Sequence, residues 1–184
     1  MGSDVYANID WGDIRHMIVF HCAPVLAGLK ISNMMVTSEG GYRDACIFLR
    51  GSNVEIYVLS RINGKVVLLL FNRHKLNTYL NVRENADFLK QMGHEKCDPE
   101  SVLSELAKRY VKYQKRLSGF PHELGIVLGY PLCDVIGFMR NEGQNYLISG
   151  YWKVYAGVEQ AKALFKAYDD ATEKMLRALF AEKI

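Results

Sequence analysis

The chain has 184 residues, 49% of them hydrophobic, with 23 basic against 20 acidic side chains and a formal net charge of +3. That length and apolar content suit one domain spanning residues 1–184 with a substantial core, and the mild charge permits an acidic partner without demanding one. The four cysteines, Cys22, Cys46, Cys97 and Cys133, are scattered with no C-x-x-C pair, which excludes a zinc ribbon or thioredoxin-type motif and argues against a dense disulfide framework.

In chain order, Trp11 to Lys30 reads as helical around a break at Cys22-Ala23-Pro24, although Met17 to Phe20 alone would equally suit a short buried strand. Val54 to Leu59 and Val66 to Phe71, separated by a turn at Asn63-Gly64, give a hairpin. Asp98 to Leu117 is an amphipathic helix, with Asp98 as N-cap, Pro99 at the first helical position, and Val102, Leu103, Leu106, Tyr110, Tyr113 and Leu117 on one face. Tyr146 to Tyr155 has the composition of a strand, and a second long helix follows Gly157. The pattern is α+β. The longest apolar run, Val66 to Phe71, is far short of a bilayer span, and Met1-Gly2-Ser3-Asp4 has neither a basic leader region nor a myristoylation pattern, so a cytoplasmic protein without membrane contact is expected.

The stretch His21-Cys22-Ala23-Pro24 carries the sharpest chemical signal. Proline is favoured at the first helical position, which makes Cys22 or Ala23 the expected cap. Unpaired N–H groups and the positive end of a helix would then face the thiol and pull its pKa from about 8.5 into roughly the 3.5–7.5 range. Of the five histidines, His16, His21, His74, His94 and His122, the last is the best base, because Pro121 fixes its approach within Gly119-Phe120-Pro121-His122-Glu123-Leu124-Gly125. Asp134 lies in apolar surroundings where a carboxylate needs a partner, and an imidazole N–H is one. The order Cys22, His122, Asp134 is that of papain-like cysteine enzymes with Asp in place of their Asn.

Each residue also has a plainer role. Cys22 suits core packing, His122 a helix cap, and Asp134 the first turn of a helix running to Asn141, while Glu123 is a rival for orienting the imidazole. The basic run Lys108, Arg109, Lys112, Lys115 and Arg116 reads as a solvated helix face, with Tyr110 and Tyr113 in the apolar stripe, so nucleic-acid binding is not expected. A metal site from His16, His21 and Cys22 fits one helical face poorly.

The blocks His21 to Lys30, Phe120 to Pro131, Asp134 to Phe138 and Gly150 to Tyr155 resemble the signature of an uncharacterised bacterial family, domain of unknown function 3793. The chain also resembles the cysteine-protease-like amide synthetases of closthioamide-type polythioamide biosynthesis. That resemblance implies a papain-like arrangement of helices on a small antiparallel sheet, and a cysteine-dependent acyltransferase making a thioamide natural product. Cys22 would be the nucleophile, His122 the base and Asp134 the orienting acid. The acyl donor would be a thioester on an acyl or peptidyl carrier protein, docked against the Lys108 to Arg116 face, and the acceptor a small amine or diamine. Neither cofactor nor metal is implied. The alternatives are a cysteine peptidase or thioesterase using the same residues, and a non-catalytic binding protein in which Cys22 is only packed.

Overall fold

A computed structural model describes residues 5–181. Its centre is a three-stranded antiparallel sheet of β1 (Ser32–Thr37), β2 (Glu55–Ile62) and β3 (Lys65–Phe71), in the order β1-β3-β2. The β2-β3 hairpin forms where the sequence predicts it. Asn63 and Gly64 both take positive φ, 53° and 72°, as a two-residue hairpin turn requires. Central β3 is apolar without alternation because both its faces are covered. Val66, Leu68 and Leu70 pack with α1 (Ile14–Leu26) and α2 (Glu39–Phe48). Val67, Leu69 and Phe71 pack with α3 (Arg73–Leu80), α4 (Arg83–Gln91), α5 (Pro99–Gln114), α6 (Glu123–Val127) and α7 (Leu132–Arg140).

Two elements follow. The expected strand over Tyr146 to Tyr155 is reduced to a pair of two-residue strands, β4 (Ile148–Ser149) and β5 (Lys153–Val154), around a tight Gly150 turn. The long helix α8 (Val158–Ala181) then packs across α1 through Val19, Ala23, Leu176 and Leu179. No described helix is long and apolar enough to cross a membrane.

The first predicted helix differs from expectation in a way that decides the chemistry of Cys22. Helix α1 begins at Asp13, whose carboxylate accepts from the Arg15 amide, and Pro24 lies in its last turn. The end is a Schellman motif: Leu29 N–H donates to Pro24 O at 2.8 Å, Gly28 N–H to Val25 O at 3.0 Å, and Gly28 has φ of 70°. Cys22 is therefore near the negative end of α1 rather than at a helix start. Asp98 caps α5 and Pro99 opens it, as the sequence predicts.

Candidate functional site

The α6-α7 corner builds a cavity walled by aromatic rings. Pro121 leads into α6, which ends at Gly129 with φ of 77° against Ile31, and Pro131 starts α7 directly after. Gly125 lets the two short helices close: a Cβ there would stand 2.7 Å from Val135 Cγ2.

Asp134, buried in the first turn of α7, then fastens the Gly150–Ala156 segment to this corner. Its Oδ2 accepts from Trp152 Nε1 at 2.7 Å, and its Oδ1 from the amides of Tyr155 at 2.7 Å and Ala156 at 3.1 Å. Three N–H donors and the positive end of α7 compensate the buried charge. Tyr130 stacks on Trp152 with centroids 5.2 Å apart, and its hydroxyl donates to Tyr151 O at 3.2 Å.

The resulting cavity holds about 320 Å³ between the rings of Phe120, Tyr130, Phe138, Tyr151 and Trp152. Leu124, Leu128 and Val135 complete its apolar lining, and His122, Ser149 and Lys153 add polar groups. His122, at the N-cap position of α6, makes no side-chain cap bond. Its ring meets Phe120 at 5.4 Å and Phe138 at 6.0 Å. Burial holds its pKa below the ordinary 6.5, against an opposing pull from Glu123, so the imidazole is neutral at pH 7.

Glu123, next in sequence, turns the other way and is fully buried. Arg109 Nη1 lies 2.9 Å from Glu123 Oε1 and donates to Met92 O at 2.7 Å, while His94 Nε2 stands 3.5 Å from the same carboxylate oxygen. Burial works to raise the Glu123 pKa, but His94, the backbone and Arg109 together hold it below the usual value. Arg109 thus leaves the basic face it shares in sequence and becomes an internal prop of α6.

The structure brings His122 and Asp134 to one cavity but does not join them, since Asp134 spends both oxygens on Trp152, Tyr155 and Ala156. Cys22 lies elsewhere. It is fully buried with Ile18, Val25, Leu68 and Leu70 on the α1-α2 side of the sheet, opposite the face carrying α6 and α7. The expected low thiol pKa is corrected: burial pushes Cys22 up to about 12, only partly offset by the charge of Lys30. Lys30 is itself buried, donates to Ser32 O at 2.7 Å and Asn33 Oδ1 at 2.9 Å, and is held down to about 8, chiefly by burial. Cys46 and Cys133 are the exposed thiols.

Sequence reasoning singled out His122 and Asp134 but assigned no role to Tyr130, Phe138, Trp152 or Lys153. The available signal was compositional, a cluster of aromatics and glycines in Gly150-Tyr151-Trp152-Lys153. Among the described residues no group of three His, Cys, Asp or Glu side chains is placed to hold a metal ion.

No curated protein and no solved structure matches the chain. A family model matches residues 18–183, and the chain belongs to that family, described as protein of unknown function (DUF3793).

Proposed function

We propose that the chain is a small-molecule binding protein whose ligand inserts an apolar ring or acyl body between Phe120, Phe138 and Trp152. The observation that carries this reading is an aromatic-walled cavity of about 320 Å³ into which a neutral imidazole, uncommitted to any hydrogen bond among the described residues, is set. Apolar cavities with a few converging polar groups are the common form of small-ligand sites. His122 can hydrogen-bond a ligand oxygen or accept a proton from a bound group.

Trp152 supplies the test, since Trp11 is the one other tryptophan in the sequence. In a Trp11→Phe background, a neutral acyl thioester such as 3-phenylpropanoyl-N-acetylcysteamine should change Trp152 emission saturably. Ser149→Phe, at an exposed position lining the cavity, should block the change. No saturable response, or one that Ser149→Phe leaves intact, overturns the assignment.

A second reading retains chemistry: a cysteine-protease-like acyltransferase passing an acyl group from a carrier-protein thioester through acyl-Cys22 to an amine, as in thioamide assembly. What favours it is a neutral base, His122, beside Phe120, whose ring meets Tyr113 at 5.3 Å at the basic end of α5 where Lys112, Lys115 and Arg116 lie. An acidic carrier would be attracted there. This reading requires Cys22, now packed on the opposite face of the sheet from the α6-α7 corner, to leave that face and reach His122. A mass increase mapped to Cys22 after incubation with the same thioester would support it, and saturable binding at unchanged mass would support the binding protein.

A further inference from the structure

We propose that the cavity takes an organic anion, an aryl or alkyl carboxylate whose charged end meets Lys153 and His122; this rests on the cavity being the binding site. Lys153 lines the cavity, half-buried, and its Nζ donates to Gly143 O at 2.7 Å. The ammonium lies over Tyr146 at 4.8 Å and Phe138 at 5.8 Å, and it makes no ion pair among the described residues. An ammonium has three donors and one here has a protein acceptor, so the others are available to a ligand.

The cavity's own carboxylate does not take up that role. Asp134 accepts from Trp152 on Oδ2 and from two backbone amides on Oδ1, so its charge is met by fixed donors. Of the cavity's other polar groups, the His122 side chain has no hydrogen-bond partner among the described residues, and its neutral ring offers one N–H. An ammonium without an ion pair and an imidazole N–H, both lining the cavity beside the Phe138 ring, are complementary to a carboxylate on an apolar body. A cationic ligand would meet Lys153 with like charge, and a neutral one would leave it without a counter-ion. A cavity of about 320 Å³ has room for a phenyl ring on a short chain.

Three compounds sharing one body separate the possibilities: 3-phenylpropanoate, 3-phenylpropanol and 3-phenylpropylamine, titrated calorimetrically into the full chain. The acid should bind about tenfold or more tightly than the alcohol, consistent with a charge-assisted hydrogen bond, and the amine should bind most weakly. Lys153→Gln should lower acid affinity about tenfold or more and so erase the preference, with unchanged Trp152 emission of the free protein reporting an intact cavity; Lys153→Arg should keep the preference. Equal affinity for acid and alcohol, or preference for the amine, overturns the anion assignment and leaves the cavity as a binding site. Acid preference that survives Lys153→Gln removes Lys153 from the role. Failure of all three compounds to bind overturns the binding site itself.

Discussion

Cys22 and Asp134 carry opposite lessons about what a titratable side chain does when it is buried. Burial and the negative end of α1 favour the protonated thiol, and the charge of Lys30 opposes them only in part. Iodoacetamide at neutral pH should therefore modify Cys46 and Cys133 first, and Cys22 only after unfolding. Peptide mapping over a time course reads the order, and early modification of Cys22 would mean that α1 opens far more readily than its packing indicates.

The carboxylate is buried but fully paired, and its work is to hold Trp152 and the Tyr155-Ala156 backbone in place. Asp134→Asn exchanges one acceptor oxygen for an N–H₂ group facing N–H donors. It should cost about 1–3 kcal/mol, the range for an unsatisfied buried polar group, and should shift Trp152 emission. An unchanged Tm and emission would contradict the clamp. The sequence made Asp134 conspicuous, because a carboxylate among apolar residues needs a partner; it could not name the partner, since Trp152 and Tyr155 lie across a turn whose path depends on tertiary packing.

At the scale of elements, α1 shows how one signal can mislead and its neighbour correct it. Pro24 suits a helix start, yet Gly28 four residues later closes a helix end, and the Pro24 carbonyl accepts from both Leu29 and Lys30 there. A proline can sit in a last turn when the lost donor is tolerated, so the glycine was the stronger sign. The Tyr146–Tyr155 segment shows another limit: strand-like composition there serves a cavity wall, with aromatic side chains spent on Asp134, Tyr130 and Phe165 rather than on a long ladder. The hairpin and α5 were legible because their signals are local, a two-residue turn and an Asp-Pro cap.

Glycines mark where these elements touch. A Cβ on Gly137 would overlap the Tyr155 side chain, whereas one on Gly119 would meet nothing within 4 Å. Gly137→Ala should destabilise by about 1–3 kcal/mol through overpacking and weaken ligand binding by displacing the Tyr155 segment, while Gly119→Ala should change neither appreciably. Urea unfolding of the two variants makes the comparison, and equal effects would show that α7 and the Tyr155 segment are not closely packed.

Over the whole molecule, the sheet separates two chemistries. One face packs the thiol away beneath α1 and α2, and the other supports the α6-α7 corner and its cavity. Sequence order placed Cys22, His122 and Asp134 in a plausible series, but the side of the sheet each occupies is set by long-range packing that no local motif carries. Stability should register the hidden pair. Raising the Cys22 pKa from 9.0 to about 12 means that the benefit of a neutral buried thiol is full below pH 9 and is lost as pH rises toward 12. The stability advantage of wild type over Cys22→Ala should therefore shrink from pH 9 to pH 11. Lys30 has the opposite sign: its charged form is disfavoured on folding, and that cost is relieved as pH rises from about 8 to 10.5, so wild type should gain on Lys30→Met over that interval. Parallel curves for wild type and either variant would contradict the burial of that group.

The most direct measurement is the crystallographic position of 3-phenylpropanoate bound to the full chain. If the cavity is the binding site, the phenyl ring lies between Phe120, Phe138 and Trp152 with the carboxylate toward Lys153, and the Asp134 contacts to Trp152, Tyr155 and Ala156 persist. A ligand bound elsewhere, or seated in the cavity only after Asp134 has released Trp152, would contradict the assignment.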